Sequence, residues 1–66
     1  MVYKRLKDLR EDGDFGQKEL AAYLNVTQTT YSKYELGRIR IPIEVFIKLA
    51  DFHKVTIDYL VGREKR

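Results

Sequence analysis

The sequence has 66 residues, of which 13 are basic and 10 acidic, with no cysteine and a formal net charge of +3. This length allows one small domain, and the lack of cysteine excludes disulfides and thiolate metal sites. The charge favours polyanionic partners only weakly. Because the N-terminus is charged and the apolar runs are short, we expect neither a signal peptide nor a membrane span, and we expect a cytoplasmic protein.

The first predicted helix covers residues 2–12 and is amphipathic. Val2, Leu6 and Leu9 recur at the offsets of one helical face, and charged side chains cover the other face. The helix is expected to end in a turn in which Gly13 takes a positive φ angle.

Residues 17–37 predict two short helices, about 17–24 and 28–36, joined by a tight turn. Asn25 tolerates the left-handed conformation that such a turn needs, and Thr27 is a good N-cap for the second helix. Apolar or aromatic side chains lie on the inner face of both helices: Leu20, Ala21, Leu24, Tyr31 and Tyr34. This pattern is typical of a helix-turn-helix unit.

Two further helices are predicted, at about 43–53 and 57–61, and residues 63–66 form a charged tail. Thr56 is the expected N-cap of the last helix. No strand pattern has a partner, so the chain is interpreted as a single compact all-α domain of five helices, 1–66. The predicted core consists of Leu6, Leu9, Phe15, Leu20, Ala21, Leu24, Val26, Tyr31, Tyr34, Phe46, Leu49, Ala50, Val55, Ile57 and Leu60.

Four segments follow one another in the chain: L-K-D-L-R, F-G-Q-K-E-L-A-A-Y-L-N-V-T-Q-T-T-Y-S-K-Y-E-L-G-R, I-P-I-E-V-F-I-K-L-A-D-F and V-T-I-D-Y-L-V-G-R. In this order they resemble the phage-repressor/Cro-type (XRE) helix-turn-helix domains of bacterial and phage transcription regulators. The resemblance covers almost the whole chain and implies a repressor-like fold that binds DNA. Two residues depart from the usual pattern: Gly16 replaces a Ser, Thr or Asn cap, and Tyr31 replaces an aliphatic residue.

The third helix carries the predicted base contacts. Gln28, Thr29 and Lys33 face away from the two tyrosines, and Ser32 lies one turn further along. Gln pairs with adenine, Thr offers a hydroxyl and a methyl, and Lys reaches guanine. The alternative is an ordinary polar surface, but a face rich in Gln and Thr is a poor choice for helix propensity alone.

Phosphate contacts are predicted around this helix, from Gln17, Thr27, Thr30, Arg38 and Arg40. For Thr27 and Thr30, a helix-capping role is the alternative. The resemblance implies the contacts of Gln17 and of the two arginines; the alternative for each is a solvated surface side chain. A helix N-terminus such as that at Gln17 favours a phosphate in any case.

The resemblance also implies a partly buried ion pair between Arg10 and Glu35 that fixes the angle of the third helix. His53, the single histidine, is interpreted as a packed side chain or as a partner of the helix C-terminal dipole, because no cysteine or second histidine completes a metal site. No catalytic set and no cofactor motif is apparent, so the chain is predicted not to be an enzyme and to need no cofactor or metal.

The sequence therefore predicts a sequence-specific transcriptional regulator of repressor type that binds double-stranded DNA as a homodimer. Candidate dimer contacts are apolar residues that do not all fit in the core: Ile41, Ile43, Ile57, Tyr59 and Val61. The alternative is an antitoxin-like or other protein-interaction module on the same scaffold, whose partner is a toxin or a co-regulator. The chain either regulates through its abundance or partners, or is part of a longer protein.

Overall fold

The computed structural model describes residues 2–63. Within that range it contains five helices and no strand: α1 Lys4–Asp12, α2 Gln17–Leu24, α3 Gln28–Leu36, α4 Ile43–His53 and α5 Ile57–Leu60. The predicted all-α class is confirmed, and α5 ends one residue earlier than expected. Of the predicted charged tail, only Arg63 belongs to the described residues.

The core lies where all five helices meet. Helix α2 packs against α3 and α4, α1 packs against α3 and α5, and α4 packs against α5. Each helix supplies one of the largest fully buried side chains: Leu6, Leu20, Tyr31, Leu49 and Leu60. Burial of one such side chain contributes roughly 1.5–3 kcal/mol, so every helix is attached to the common core by at least one strong contact.

The first helix begins two residues later than the sequence predicts, and Val2 is not part of the core. Val2 is 62% exposed, and Tyr3 is the N-cap residue, with φ −106° and ψ 89°. The Tyr3 ring packs edge-on against Phe46, with 5.2 Å between ring centroids. The aromatic side chain of Tyr3, and not that of Val2, thus packs against the core at this end of the chain.

The turn after α1 also differs from the prediction. Gly13 has φ −84°, and the positive φ belongs to Asp14, at 61°. A Cβ atom at position 13 would lie 2.5 Å from Phe15 Cε2. Glycine is therefore required here by the close approach of the Phe15 ring and not by its own backbone angle.

Among the described residues, Ile41 is the one buried apolar residue that the predicted core omits. It is 7% exposed, and together with Tyr3 and Phe46 it lines a surface depression. Ile41 is also one of the candidate dimer contacts, and its burial leaves little of its side chain accessible for such a contact.

Candidate nucleic-acid interface

The turn between α2 and α3 is built by three residues in succession. Asn25 has φ 60° and ψ 42°, as predicted for the left-handed position. The backbone N–H of Val26 donates to Ala21 O at 3.0 Å, which closes the end of α2. Thr27 then begins α3 as its N-cap and accepts from the backbone N–H of Thr30 at 3.1 Å. The two helices are thereby held at a fixed angle.

The two faces of α3 have opposite character. Tyr31, Tyr34 and Glu35 are buried on the inner face, and the tyrosine rings meet edge-on at 6.5 Å. The side chains on the outer face are exposed or half-buried: Gln28, Thr29, Ser32, Lys33 and Leu36. At about 100° per residue these five lie within an arc of about 140°. The predicted base-contacting residues thus share one continuous surface.

This surface is part of an open groove of about 420 Å³. The groove is lined by Gln17, Gln28, Thr29, Ser32, Lys33, Leu36 and Arg38. The structure therefore brings together residues from the N-terminus of α2, the outer face of α3 and the segment that follows α3. All four predicted base-contacting residues line it, together with two of the predicted phosphate contacts.

The other three predicted phosphate contacts lie outside the groove lining. Arg40 lines a neighbouring depression of about 310 Å³, between Ile39 and Ile41. The Thr27 hydroxyl donates to the Thr30 hydroxyl at 3.0 Å, at the N-terminus of α3. The side chain of Thr27 is therefore already used as a helix cap.

Arg10 and Glu35 form an ion pair between α1 and α3. Arg10 Nε donates to Glu35 Oε2 at 2.6 Å, and Arg10 Nη2 donates to Glu35 Oε1 at 3.2 Å. A further bond runs from Arg10 Nη1 to Phe15 O at 3.1 Å. Since the side chains are 13% and 4% exposed, the pair is shielded from solvent. It links the first helix and the loop after it to the end of α3.

Gln17 connects the Arg10–Glu35 pair with the groove. The sequence interpretation missed this contact between Gln17 and Glu35. Its Nε2 atom donates to Glu35 Oε1 at 3.1 Å, while the side chain also lines the groove. The three residues lie on three different helices, α1, α2 and α3. Only the polar character of Gln17 and Glu35 was visible in the sequence, since their proximity depends on the crossing angle of α2 and α3.

Titration of the buried groups follows from this network. Burial by itself raises the pKa of the Glu35 carboxyl group. The hydrogen bonds from Arg10 and Gln17 and the neighbouring Tyr31 hydroxyl have a larger effect in the opposite direction, so the pKa of Glu35 lies below its ordinary value. The hydrogen bond to Glu35 raises the pKa of Arg10. Burial, followed by the nearby Glu35 carboxylate, raises the pKa of Tyr31. The network is therefore charged as one cation and one anion at neutral pH.

The candidate dimer contacts differ in how exposed they are. Ile43 is 59% exposed in the first turn of α4. Ile57, Tyr59 and Val61 are half-buried and pack against the core. The Tyr59 ring also holds the Arg5 guanidinium 4.1 Å from its centroid. Ile43 is thus the most accessible of these candidates.

His53 lies among packed side chains, as the sequence interpretation expected. Its ring meets Phe52 edge-on at 5.0 Å, and burial lowers its pKa. Among residues 2–63, no three His, Asp or Glu side chains are grouped closely enough to bind a metal ion. In the same range, none of the helices combines the length and the apolar character that crossing a membrane requires.

Two proteins of Bacillus subtilis (strain 168) are similar to this chain. They are the HTH-type transcriptional regulators ImmR, 34% identical over 62 residues, and AnsR, 37% identical over 66 residues. The cryptic phage CTXphi transcriptional repressor RstR of Vibrio cholerae is 38% identical over 62 residues. These alignments cover 94%, 100% and 94% of this chain, but only 49%, 57% and 56% of the respective relatives. The chain thus spans about half the length of the relatives it matches.

The fold is also found in a solved structure. The crystal structure of a transcriptional regulator from Listeria innocua superimposes with a TM-score of 0.88 at 29% identity, and the match covers 100% of this chain and 62% of that chain. The sequence model of the family described as "Helix-turn-helix" matches residues 6–60. This chain therefore belongs to that family of XRE-type helix-turn-helix domains.

Proposed function

We propose that this chain is the DNA-binding part of a sequence-specific transcriptional repressor, and that it places α3 in the major groove as one half of a homodimer. The groove along α3 carries the proposal, because it joins a helix N-terminus, a polar helix face and an arginine on one accessible surface. In a DNA duplex the base edges of the major groove lie between two rows of phosphates. The polar helix face fits the base edges, and the helix N-terminus and the arginine fit the phosphates.

Each group in the groove has a fitting counterpart on DNA. Gln28 and Thr29 stand at the N-terminal end of α3, which is the part of a recognition helix that contacts base edges. Gln28 offers a donor and an acceptor to adenine, and Lys33 offers a charged donor to guanine. Phosphate contacts are assigned to Gln17 and Arg38, which line the same groove.

The similar proteins agree with this assignment. ImmR and AnsR are named as transcriptional regulators, and RstR is named as a transcriptional repressor. On this proposal the chain acts in the cytoplasm, where its DNA lies, and binds without catalysis or a cofactor. An antitoxin-like interaction module on the same scaffold is the alternative that the experiment below separates.

Two copies are needed for useful specificity. A single module of this size buries roughly 600–1,000 Å² on DNA, at the low end for specific complexes. Two copies related by a twofold axis would bind half-sites about 34 Å apart. Ile43, the most exposed of the candidate dimer contacts, is assigned as an apolar contact between them.

Selection of bound duplexes from a random pool tests the proposal. Wild type is expected to enrich a palindromic motif, and Gln28→Ala is expected to lose the preference at one position of each half-site. Lys48→Ala, which changes an exposed side chain of α4, serves as control and should enrich the wild-type motif. Enrichment of no motif by the wild type would refute the repressor assignment and favour the interaction module. Enrichment of an unchanged motif by Gln28→Ala would show that Gln28 has another role.

A further inference from the structure

An apolar side chain lies among the polar residues of the groove. Leu36 is the last residue of α3, it is 55% exposed, and it lines the groove with Gln28, Thr29 and Lys33. At about 100° per residue, its direction falls near the middle of the arc that the other outer-face residues span. Leu36 thus points in the same direction as the predicted base-contacting residues.

Packing within the chain does not account for this leucine. The inner face of α3 is already filled by Tyr31 and Tyr34, which are 0% and 5% exposed. Leu36 keeps more than half of its surface accessible and contributes correspondingly little to the core. The exposed apolar residues of α4, Ile43 and Ile47, do not line the groove. Among residues 2–63, Leu36 is the one exposed large apolar residue that lines the groove with the predicted base contacts.

We propose that Leu36 is a specificity-determining residue that packs against the C5-methyl group of a thymine in the major groove. This proposal rests on the function proposed above. The thymine methyl is the apolar group that base pairs present in the major groove, and apolar side chains recognise it by contact. A leucine at this position favours a T·A pair over a C·G pair, because cytosine lacks the methyl group.

The position of Leu36 along the helix separates its target from that of Gln28 and Thr29. With a rise of about 1.5 Å per residue, Leu36 lies about 10 Å further along the axis than Thr29. It is one turn beyond Ser32, so the methyl group belongs to a base pair next to those that the first turns of α3 contact. The half-site read by this helix is correspondingly longer than the polar residues alone would allow.

Replacement of single thymines by deoxyuridine tests the proposal directly. Uracil keeps every hydrogen-bonding group of thymine and lacks only the C5-methyl group. Each replacement therefore removes one methyl group, and affinity falls only where the protein contacts that methyl. Starting from the duplex motif that the wild type selects, each thymine is replaced in turn and Kd is measured. For wild type, one thymine in each half-site is expected to be sensitive. Its replacement should weaken the affinity about fourfold for each methyl contact that is lost.

Leu36→Ala is expected to bind the unmodified duplex more weakly and to lose this sensitivity at that thymine only. Ile47→Ala is the matched control, since it shortens an exposed aliphatic side chain, 46% exposed, outside the groove; its uracil profile should equal that of wild type. Both substitutions lie at exposed helical positions, and unchanged melting temperatures verify that the fold is intact.

Two results would overturn the proposal, and they are distinguishable. If Leu36→Ala and wild type give the same uracil profile on a selected motif, Leu36 contacts sugar or solvent, and the repressor assignment is unaffected. If the wild type selects no motif at all, the assignment fails and the thymine contact fails with it.

Discussion

Lys33 and Lys48 carry the same charge at exposed positions, but only Lys33 lines the groove. Removal of either charge weakens the general attraction to DNA slightly. If Lys33 also donates to a guanine, Lys33→Ala additionally loses a base contact, which is worth about 1–3 kcal/mol of discrimination. We therefore expect a fall in affinity of about 5- to 150-fold on the selected duplex, and relaxed selectivity at one base pair.

Lys48→Ala is the control for charge, and its affinity should stay within about twofold of wild type, as expected for an exposed charge far from phosphate. Titrations of both variants on the selected duplex and on a scrambled duplex give the comparison. An equal loss for Lys33→Ala on the two duplexes would show that Lys33 contacts a phosphate instead of a base.

At the residue scale, the sequence predicts capping and turn residues well and packing poorly. Asn25, Thr27 and Thr56 have the predicted roles because caps and left-handed turns depend on local chemistry. Val2 was predicted on the apolar face of the first helix, and Ile41 was left out of the predicted core, because burial depends on which distant surface a residue meets. The periodicity of α1 could not distinguish Val2 from Tyr3, and an isoleucine between Arg40 and Pro42 has no periodicity that would place it in the core.

At the scale of elements, the Arg10–Glu35 pair is the main polar connection between α1 and α3. Arg10→Met leaves the Glu35 carboxylate buried without its cation, a change that typically costs about 3–5 kcal/mol. This destabilisation is comparable with the whole free energy of unfolding, about 3–5 kcal/mol, that the core of so small a domain supplies. We therefore expect Arg10→Met to be largely unfolded near 37 °C, as measured by circular dichroism during heating and by urea titration.

The double variant Arg10→Met/Glu35→Leu is the control for this effect. It removes both charges and fills the site with apolar groups, so it should be clearly more stable than Arg10→Met. A melting temperature of Arg10→Met equal to that of wild type would show that the pair contributes nothing to the fold.

The same pair makes stability depend on pH on the acidic side. The pKa of Glu35 in the folded chain lies below its ordinary value of 4.5, so the unfolded chain binds a proton more readily. The contribution of Glu35 is therefore complete above pH 4.5 and is lost as the pH falls through the folded-state pKa. We expect the urea midpoint of wild type to fall on acidification through this range, and the decrease to be smaller in Glu35→Gln.

A matched variant is needed to separate the effect of the buried pair from the general effect of removing one carboxylate. Glu44 is exposed in the first turn of α4, and Glu44→Gln removes one carboxylate without touching the network. Its pH profile should run parallel to that of wild type. If Glu35→Gln and Glu44→Gln change the profile equally, the buried pair is not the source of the acid sensitivity.

The elements themselves were predictable to within one or two residues, because apolar periodicity, caps and breakers agree along the chain. The groove was predictable in part. The outward direction of Gln28, Thr29 and Lys33 follows from helical geometry once the tyrosines are placed inside. The bond between Gln17 and Glu35 could not be predicted, since it depends on how two helices cross. Leu36 lies on the same arc as Gln28 and was overlooked because leucine is ordinarily assigned to the core.

At the scale of the whole molecule, the proposed dimer determines how DNA is read. Two copies on one face of a duplex need half-sites one helical turn apart, about 10 base pairs. If the copies touch, binding of the first raises the affinity of the second. Insertion of about 5 base pairs between half-sites places the copies on opposite faces and should abolish this cooperativity without weakening a single half-site.

Ile43→Asp tests whether α4 provides the contact between copies. A carboxylate at this exposed position would be desolvated in an apolar interface, so cooperative binding to the two-site duplex should fall by at least tenfold. Binding to a duplex with one half-site should change little. Ala22→Asp adds the same charge at an exposed position of α2 and serves as control. Equal losses for the two variants would assign the effect to charge repulsion from DNA, and the dimer contact would then have to lie on another surface.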